Sequence, residues 1–168
     1  MRKLLRGAVV VAAASGLFLA AAYGAKPPAK TAAMIARGRY LAVIGGCNDC
    51  HTAGWPESGG RLPVKDWLEG SPVGWHGPWG TSYPVNLRLL AARLTLKEWL
   101  HLAESREAKP PMPWWALRAM TPADRRALYQ FIRYLGPAGK KAPADLPPQV
   151  TPPPPAVLFP MPPKEAER

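Results

Sequence analysis

Only two cysteines occur in the 168 residues, Cys47 and Cys50. A closed structural zinc site is thereby excluded, because it would need a second ligand pair that the chain lacks. Acidic side chains are also scarce, 11 against 22 lysines and arginines, for a formal net charge of +11. No repeat with a period of 20 to 50 residues is visible, which rules out a solenoid or propeller. No recognised nucleic-acid module is present either, so the excess charge points to acidic protein partners and not to nucleic acid. A chain this short leaves no room for a multidomain enzyme.

What is abundant is proline, 22 residues, well above the usual ~5%. Ten of them fall between Ala138 and Arg168, including Pro152 to Pro155. That composition favours polyproline II and leaves little to pack as a domain of its own. Residues 138–168 are expected to form an extended Pro-rich tail. At the other end, Arg2, Lys3 and Arg6 precede an apolar and small-residue run from Gly7 to Ala22 that closes on Ala20-Ala21-Ala22. This is the pattern of a secretory signal, 1–22, with cleavage near 22–25. Export to the periplasm is then expected, with membrane attachment only if the leader is retained.

Between these ends, three helices are signalled. Ala32, Ile35, Ala36, Tyr40, Leu41, Val43 and Ile44 recur at helical spacing and stop at Gly45-Gly46. Thr95 and Glu98 form a T-x-x-E capping box ahead of the apolar face Leu96, Trp99, Leu100 and Ala103, and Pro110-Pro111 forbids extension of this second helix. Thr121, Pro122 and Asp124 open a third helix whose buried face is Leu128, Phe131, Ile132 and Leu135, stopped by Gly136-Pro137. From Thr52 to Asn86 no strand alternation is long enough for a sheet, and that segment is expected to be a Gly-, Pro- and Trp-rich loop. The fold class is therefore all-α, three to four short helices in a domain spanning 26–137. Helices so few and short bury too little surface alone, and something else should fill the middle.

Cys47-Asn48-Asp49-Cys50-His51 supplies it. C-x-x-C-H is the attachment sequence of a c-type haem: two thiols three apart meet the two vinyl groups of one porphyrin, and the next residue reaches the iron. A thioredoxin-like pair would have a strand before it and no use for His51. One covalently bound haem c is expected, with His51 as one axial ligand. For the other, Met112 in Pro110-Pro111-Met112-Pro113 is favoured, since the flanking prolines hold its thioether with little entropy left to lose. Met120, Met161, His76 and His101 are the other candidates. Trp67, Trp75, Trp79, Trp114 and Trp115 bracket the expected cofactor and suit the walls of a large flat apolar pocket. A relay or docking patch built on them is the alternative. The pair Arg125-Arg126 is a candidate docking cluster.

A helix, C-x-x-C-H-T, a Gly/Pro/Trp-rich loop, a methionine between prolines and a last amphipathic helix together resemble class I cytochromes c, over about residues 31 to 136. Gly80-Thr81-Ser82-Tyr83-Pro84-Val85-Asn86-Leu87, then Met112-Pro113, are similar to the haem domains of cytochrome subunits serving periplasmic alcohol and sugar-acid dehydrogenases. The chain departs from those subunits in having one C-x-x-C-H where they have three, and Leu87-Arg88-Leu89-Leu90 where they have glycines. The resemblance implies the class I cytochrome c fold, and a crossing of Gly38 and Tyr40 with the last helix near Tyr129 or Ile132. It further implies that Tyr83 and Asn86 lie at the haem edge, with Asn86 or a tryptophan N–H on a propionate. Pro72 or Pro78 would supply the carbonyl on His51 Nδ1. The function implied is a monohaem electron carrier, not an enzyme. Its partners would be redox proteins: a periplasmic dehydrogenase as donor, and an oxidase or another cytochrome as acceptor. A dedicated subunit of one such complex, tethered by the tail, is the alternative, and a ligand sensor with an open sixth site is a further one.

Overall fold

The computed structural model describes residues 27–107 and 109–160. The leader, Met161 and the rest of 161–168 lie outside the described residues. Helix α1 (Ala29–Ile44) leads through Gly45 and Gly46 into the one-turn α2 (Cys47–His51). Next come a 3-10 turn (Val64–Asp66), the strands β1 (Gly74–Gly77) and β2 (Gly80–Ser82), and α3 (Leu87–Arg93). The chain continues through α4 (Leu96–Ser105), α5 (Trp114–Ala119) and α6 (Pro122–Leu135) to a last strand, β3 (Ala156–Leu158). Among the described residues no helix is long and apolar enough to cross a membrane.

The three expected helices are present, the second and third with the expected starts and the first beginning at Ala29, just ahead of its apolar period. Thr95 accepts from the Glu98 N–H while the Glu98 carboxylate accepts from the Thr95 N–H at 2.7 Å, so both arms of the capping box close. Thr121 Oγ1 accepts from Asp124 N–H at 3.1 Å, with Pro122 in the first turn, where its missing donor costs nothing. Helices α1 and α6 cross at Gly38, where a Cβ would overlap the Ala127 carbonyl and lie 2.6 Å from Phe131 Cβ. The crossing is thus at Ala127 and Phe131, beside the expected Tyr129 and Ile132. Tyr40 is half exposed, its ring beneath the Arg37 guanidinium, 5.3 Å away.

The sheet departs from the all-helical expectation. β1 pairs antiparallel with β2 through Trp75–Ser82, His76–Thr81 and Gly77–Gly80, and parallel with β3 through Trp75–Val157 and His76–Leu158. Strands of three and four residues are too short to display alternation. β3 belongs to the Pro-rich segment, which does not extend away from the domain. Residues 138–160 run back over it, and Phe159 sets its ring 5.1 Å from that of Trp79 and 6.1 Å from Trp75.

The interior is built on Trp55, Trp67 and Phe131, stacked edge to face at 4.9 and 6.1 Å, with Leu68, Trp99, Leu128 and Ile132 around them. Arg88 is buried and makes four hydrogen bonds. Its guanidinium donates to the carbonyls of Lys65, Leu135 and Gly136, each at 2.6 Å, and to Glu69 at 3.0 Å. The last carbonyls of α6, which lack helical partners, are satisfied in this way.

Candidate functional site

Gly46 adopts a left-handed conformation (φ 67°), open to glycine at little cost, and turns the chain from α1 into the short helix that carries Cys47, Cys50 and His51. Both thiols are free and half-buried. Burial pushes the Cys47 thiol up to about 11 and raises Cys50 as well, and Asp49 acts in the same direction. Reactive dithiols are made by cations or helix ends that lower the thiol pKa, so this pair has the opposite electrostatics from a thiol-exchange site.

His51 is buried, and desolvation holds its pKa below the usual histidine value, partly offset by its bond to Val85. The ring is therefore neutral near pH 7. Its Nδ1 lies 2.7 Å from the Val85 carbonyl oxygen. A carbonyl can only accept, so Nδ1 carries the proton and Nε2 presents a lone pair. The acceptor is Val85, in place of the expected Pro72 or Pro78. The short helix that carries the ring is tied down at its end by Thr52, whose hydroxyl donates to Asn48 Oδ1 and accepts from Leu68 N–H, both at 2.8 Å. The His51 carbonyl in turn accepts from Gly70 N–H at 2.7 Å.

Met112 is half-buried and packs on the same apolar cluster as Cys47 and Met120. Its loop is pinned to the sheet, because Ser82 Oγ donates to the Pro110 carbonyl at 2.6 Å. The Met120 methyl sits beside Gly45 on the Cys47 side of the turn. His76 is taken up within the sheet, Nδ1 at 2.8 Å from Thr81 Oγ1, and His101 is exposed on α4 beside Ser105. Neither histidine joins the site.

The Asn86 side chain caps α3 by accepting from Leu89 N–H at 2.9 Å, and its two amide protons go to the carbonyls of Ala138 (2.8 Å) and Lys140 (3.1 Å). Both donors are spent inside the protein, so Asn86 holds backbone and has none left for a ligand. Tyr83 is buried with its ring against Gly74, and its N–H faces Asp145 Oδ1 at 3.3 Å. The tryptophans divide three ways. Trp67 donates to Leu62 O at 2.9 Å and is core, Trp115 is 73% exposed, and the buried indole N–H groups of Trp75, Trp79 and Trp114 have no acceptor among the described residues. Three orphan donors in one small domain would be costly unless a ligand or water supplies acceptors. Arg125 is buried against Glu104 at 2.8 Å, which removes it from the expected docking cluster.

A groove of about 1150 Å³ lies elsewhere. It is lined by Ile35, Tyr40, Trp55, Trp67 and Tyr134, and by none of Cys47, Cys50, His51 and Met112. Among the described residues, no three His, Cys, Asp or Glu side chains gather into a ligand set for a bare ion. The residues that could hold a cofactor are accordingly two thiols, one neutral imidazole with a free nitrogen, and a thioether.

No family model matches the chain, and no solved structure matches it significantly. The chain is 28% identical over 126 residues to a nicotinate dehydrogenase subunit of Pseudomonas putida; the match covers 68% of this chain and 10% of that protein. The chain thus spans about a tenth of its relative's length and is similar to part of a dehydrogenase subunit.

Proposed function

We propose that this chain is a periplasmic monohaem cytochrome of the c type and class I fold, an electron carrier and not an enzyme. The observation that carries the reading is His51: a buried, neutral imidazole with Nδ1 committed to the Val85 carbonyl and Nε2 free, directly after two unpaired thiols. A ligand histidine needs that tautomer and that fixed ring. Haem c, when bound, supplies a one-electron Fe(III)/Fe(II) couple. Cys47 and Cys50 would hold it through two thioethers, and His51 Nε2 and Met112 Sδ would ligate its iron. The orphan N–H groups of Trp75, Trp79 and Trp114 fit a group that brings carboxylates. The half-buried Met112, pinned through Pro110, suits a ligand that raises the potential by favouring ferrous iron. Partners would be a periplasmic dehydrogenase as donor and an oxidase or another cytochrome as acceptor.

A second reading is supported by the similarity to a dehydrogenase subunit: a dedicated electron-accepting subunit of one such complex. Co-purification of a stable partner from the native host would favour it over a free carrier.

The test is the mass and optical spectrum of the exported protein, oxidised and reduced, with and without CO. Expected are one covalent haem, a near-infrared band of methionine sulfur on Fe(III), exclusion of CO, and loss of the band in Met112→Ala. A mass without haem overturns the function. Haem that takes up CO at once would make the chain a ligand sensor instead.

A further inference from the structure

The Val85 carbonyl that orients His51 has no anchor of its own, since the Val85 side chain is 47% exposed. Its position depends on its neighbours, which are held from two sides. On one side, Ser71 N–H donates to the Pro84 carbonyl at 3.2 Å and Leu87 N–H to the Leu68 carbonyl at 3.0 Å. Gly70 lets these stretches of chain close up, for a Cβ there would lie 2.8 Å from Pro84 O and 2.9 Å from Asn86 N.

On the other side lies the Pro-rich segment. Asn86, only 4% exposed, spends both amide protons on the carbonyls of Ala138 and Lys140. Gly139, between them at φ 72°, is the residue that permits this grip: a Cβ would come within 3.0 Å of Asn86 Nδ2 and 2.6 Å of Glu69 Oε2. Four residues before Val85, Thr81 and Leu146 exchange two backbone bonds of 2.9 and 3.0 Å. Asp145 adds its contact with Tyr83 N–H, and Lys109, ahead of the Met112 loop, pairs with Asp145 at 3.5 Å. The segment 138–146 therefore clamps both ends of 81–86, the stretch whose one outward-turned residue supplies the acceptor for His51.

We propose that residues 138–146 are a positioning strap that sets the reduction potential through the His51–Val85 hydrogen bond, an inference that rests on the electron-carrier reading above. A short Nδ1–H···O bond increases the electron donation of Nε2 and favours ferric iron; a loosened one favours ferrous iron. Anything that lifts the strap would raise the potential, so a partner that engages the Pro-rich segment would change the carrier's driving force.

Two haem-loaded variants test this from opposite ends. Asn86→Ser keeps a neutral cap for α3 and removes both donors to the strap. Leu146→Pro removes one N–H of the Thr81 bridge without touching Asn86, and gives the same test should the first variant not accumulate. The readouts are the midpoint potential and the exchange rate of the His51 Nδ1 proton measured by NMR in the reduced protein. The potential is expected to rise and the proton to exchange about tenfold faster, the effect of weakening one hydrogen bond by roughly its net worth. Both quantities unchanged, or a change in only one of them, overturns the strap. A wild-type chain that carries no covalent haem overturns the electron-carrier function itself, and is seen in the mass before any variant is made.

Discussion

At the scale of single residues, the chemistry of the site depends on side chains of two kinds. Cys47, Cys50 and His51 stand in a motif and are legible from spacing alone. The contacts that fix His51 are not: Val85 acts through its backbone 34 residues away, and Thr52, last in C-x-x-C-H-T, acts through a hydroxyl whose partners the motif does not show. A backbone acceptor leaves no trace in residue identity, which is why the sequence points to Pro72 or Pro78 and the structure to Val85. Thr52 is buried and serves two partners, so Thr52→Val keeps its shape and strands both the Leu68 N–H and Asn48 Oδ1. An unmatched buried polar group costs about 1–3 kcal/mol. With two groups stranded, thermal melting should report a loss at or above the upper end of that range, whereas Thr52→Ser, which retains the hydroxyl, should lose less.

At the scale of elements, the helices long enough to show an apolar period, α1, α4 and α6, are legible in the sequence, and the short ones are not. α5 is six residues long between Pro113 and Thr121, too short for periodicity to appear, and α3 announces itself only through Asn86 as its cap. The α1–α6 crossing rests on Gly38. Alanine there gains about 1 kcal/mol in helix propensity, but its Cβ would strike the Ala127 carbonyl, which is backbone and cannot give way. Overpacking costs about 1–3 kcal/mol and at times more, so Gly38→Ala should lower the denaturant midpoint despite the better helix former.

The same pair of helices carries an exposed tie, Arg37 Nε to Asp124 Oδ1 at 2.8 Å, which holds the Asp124 carboxyl below its ordinary value with help from Thr121. A carboxylate with a depressed folded pKa stabilises the protein above its unfolded pKa and ceases to do so as pH falls through the folded value. The stability difference between the wild type and Asp124→Asn should be full at neutral pH, shrink below the ordinary aspartate value of 3.8, and be reduced by salt, because the pair is exposed. Urea unfolding at several pH values checks this. A difference that persists at a pH of about 2, well below the ordinary carboxylate range, would mean that Asp124 acts by packing and not by charge.

At the scale of the whole molecule, the composition of 138–168 and the fold of 138–160 have to be reconciled. Proline-rich chain cannot build a domain, but it costs little entropy to fix, and it can be laid along a surface that offers unpaired backbone and aromatic faces. β1 offers both: a free edge taken by β3, and Trp75 and Trp79, which receive Phe159. The sequence shows the extended character and not the destination, because the contacts are long-range and mostly backbone to backbone. A packed strap and a free tether differ in a measurable way. Lys140 and Lys141 are exposed side chains, yet the Lys140 carbonyl is held by Asn86 and the neighbouring backbone is clamped at Leu146. A protease needs several residues of released, extended backbone, so cleavage there tracks the population of the lifted strap. Trypsin at native pH should spare the 140–142 bonds in the wild type and cut them in Asn86→Ser at a rate raised at least roughly tenfold, because two hydrogen bonds to the strap are lost. Immediate cleavage of the wild type would show a segment that leaves the domain freely, and a tether to a partner would then be the better account of its prolines.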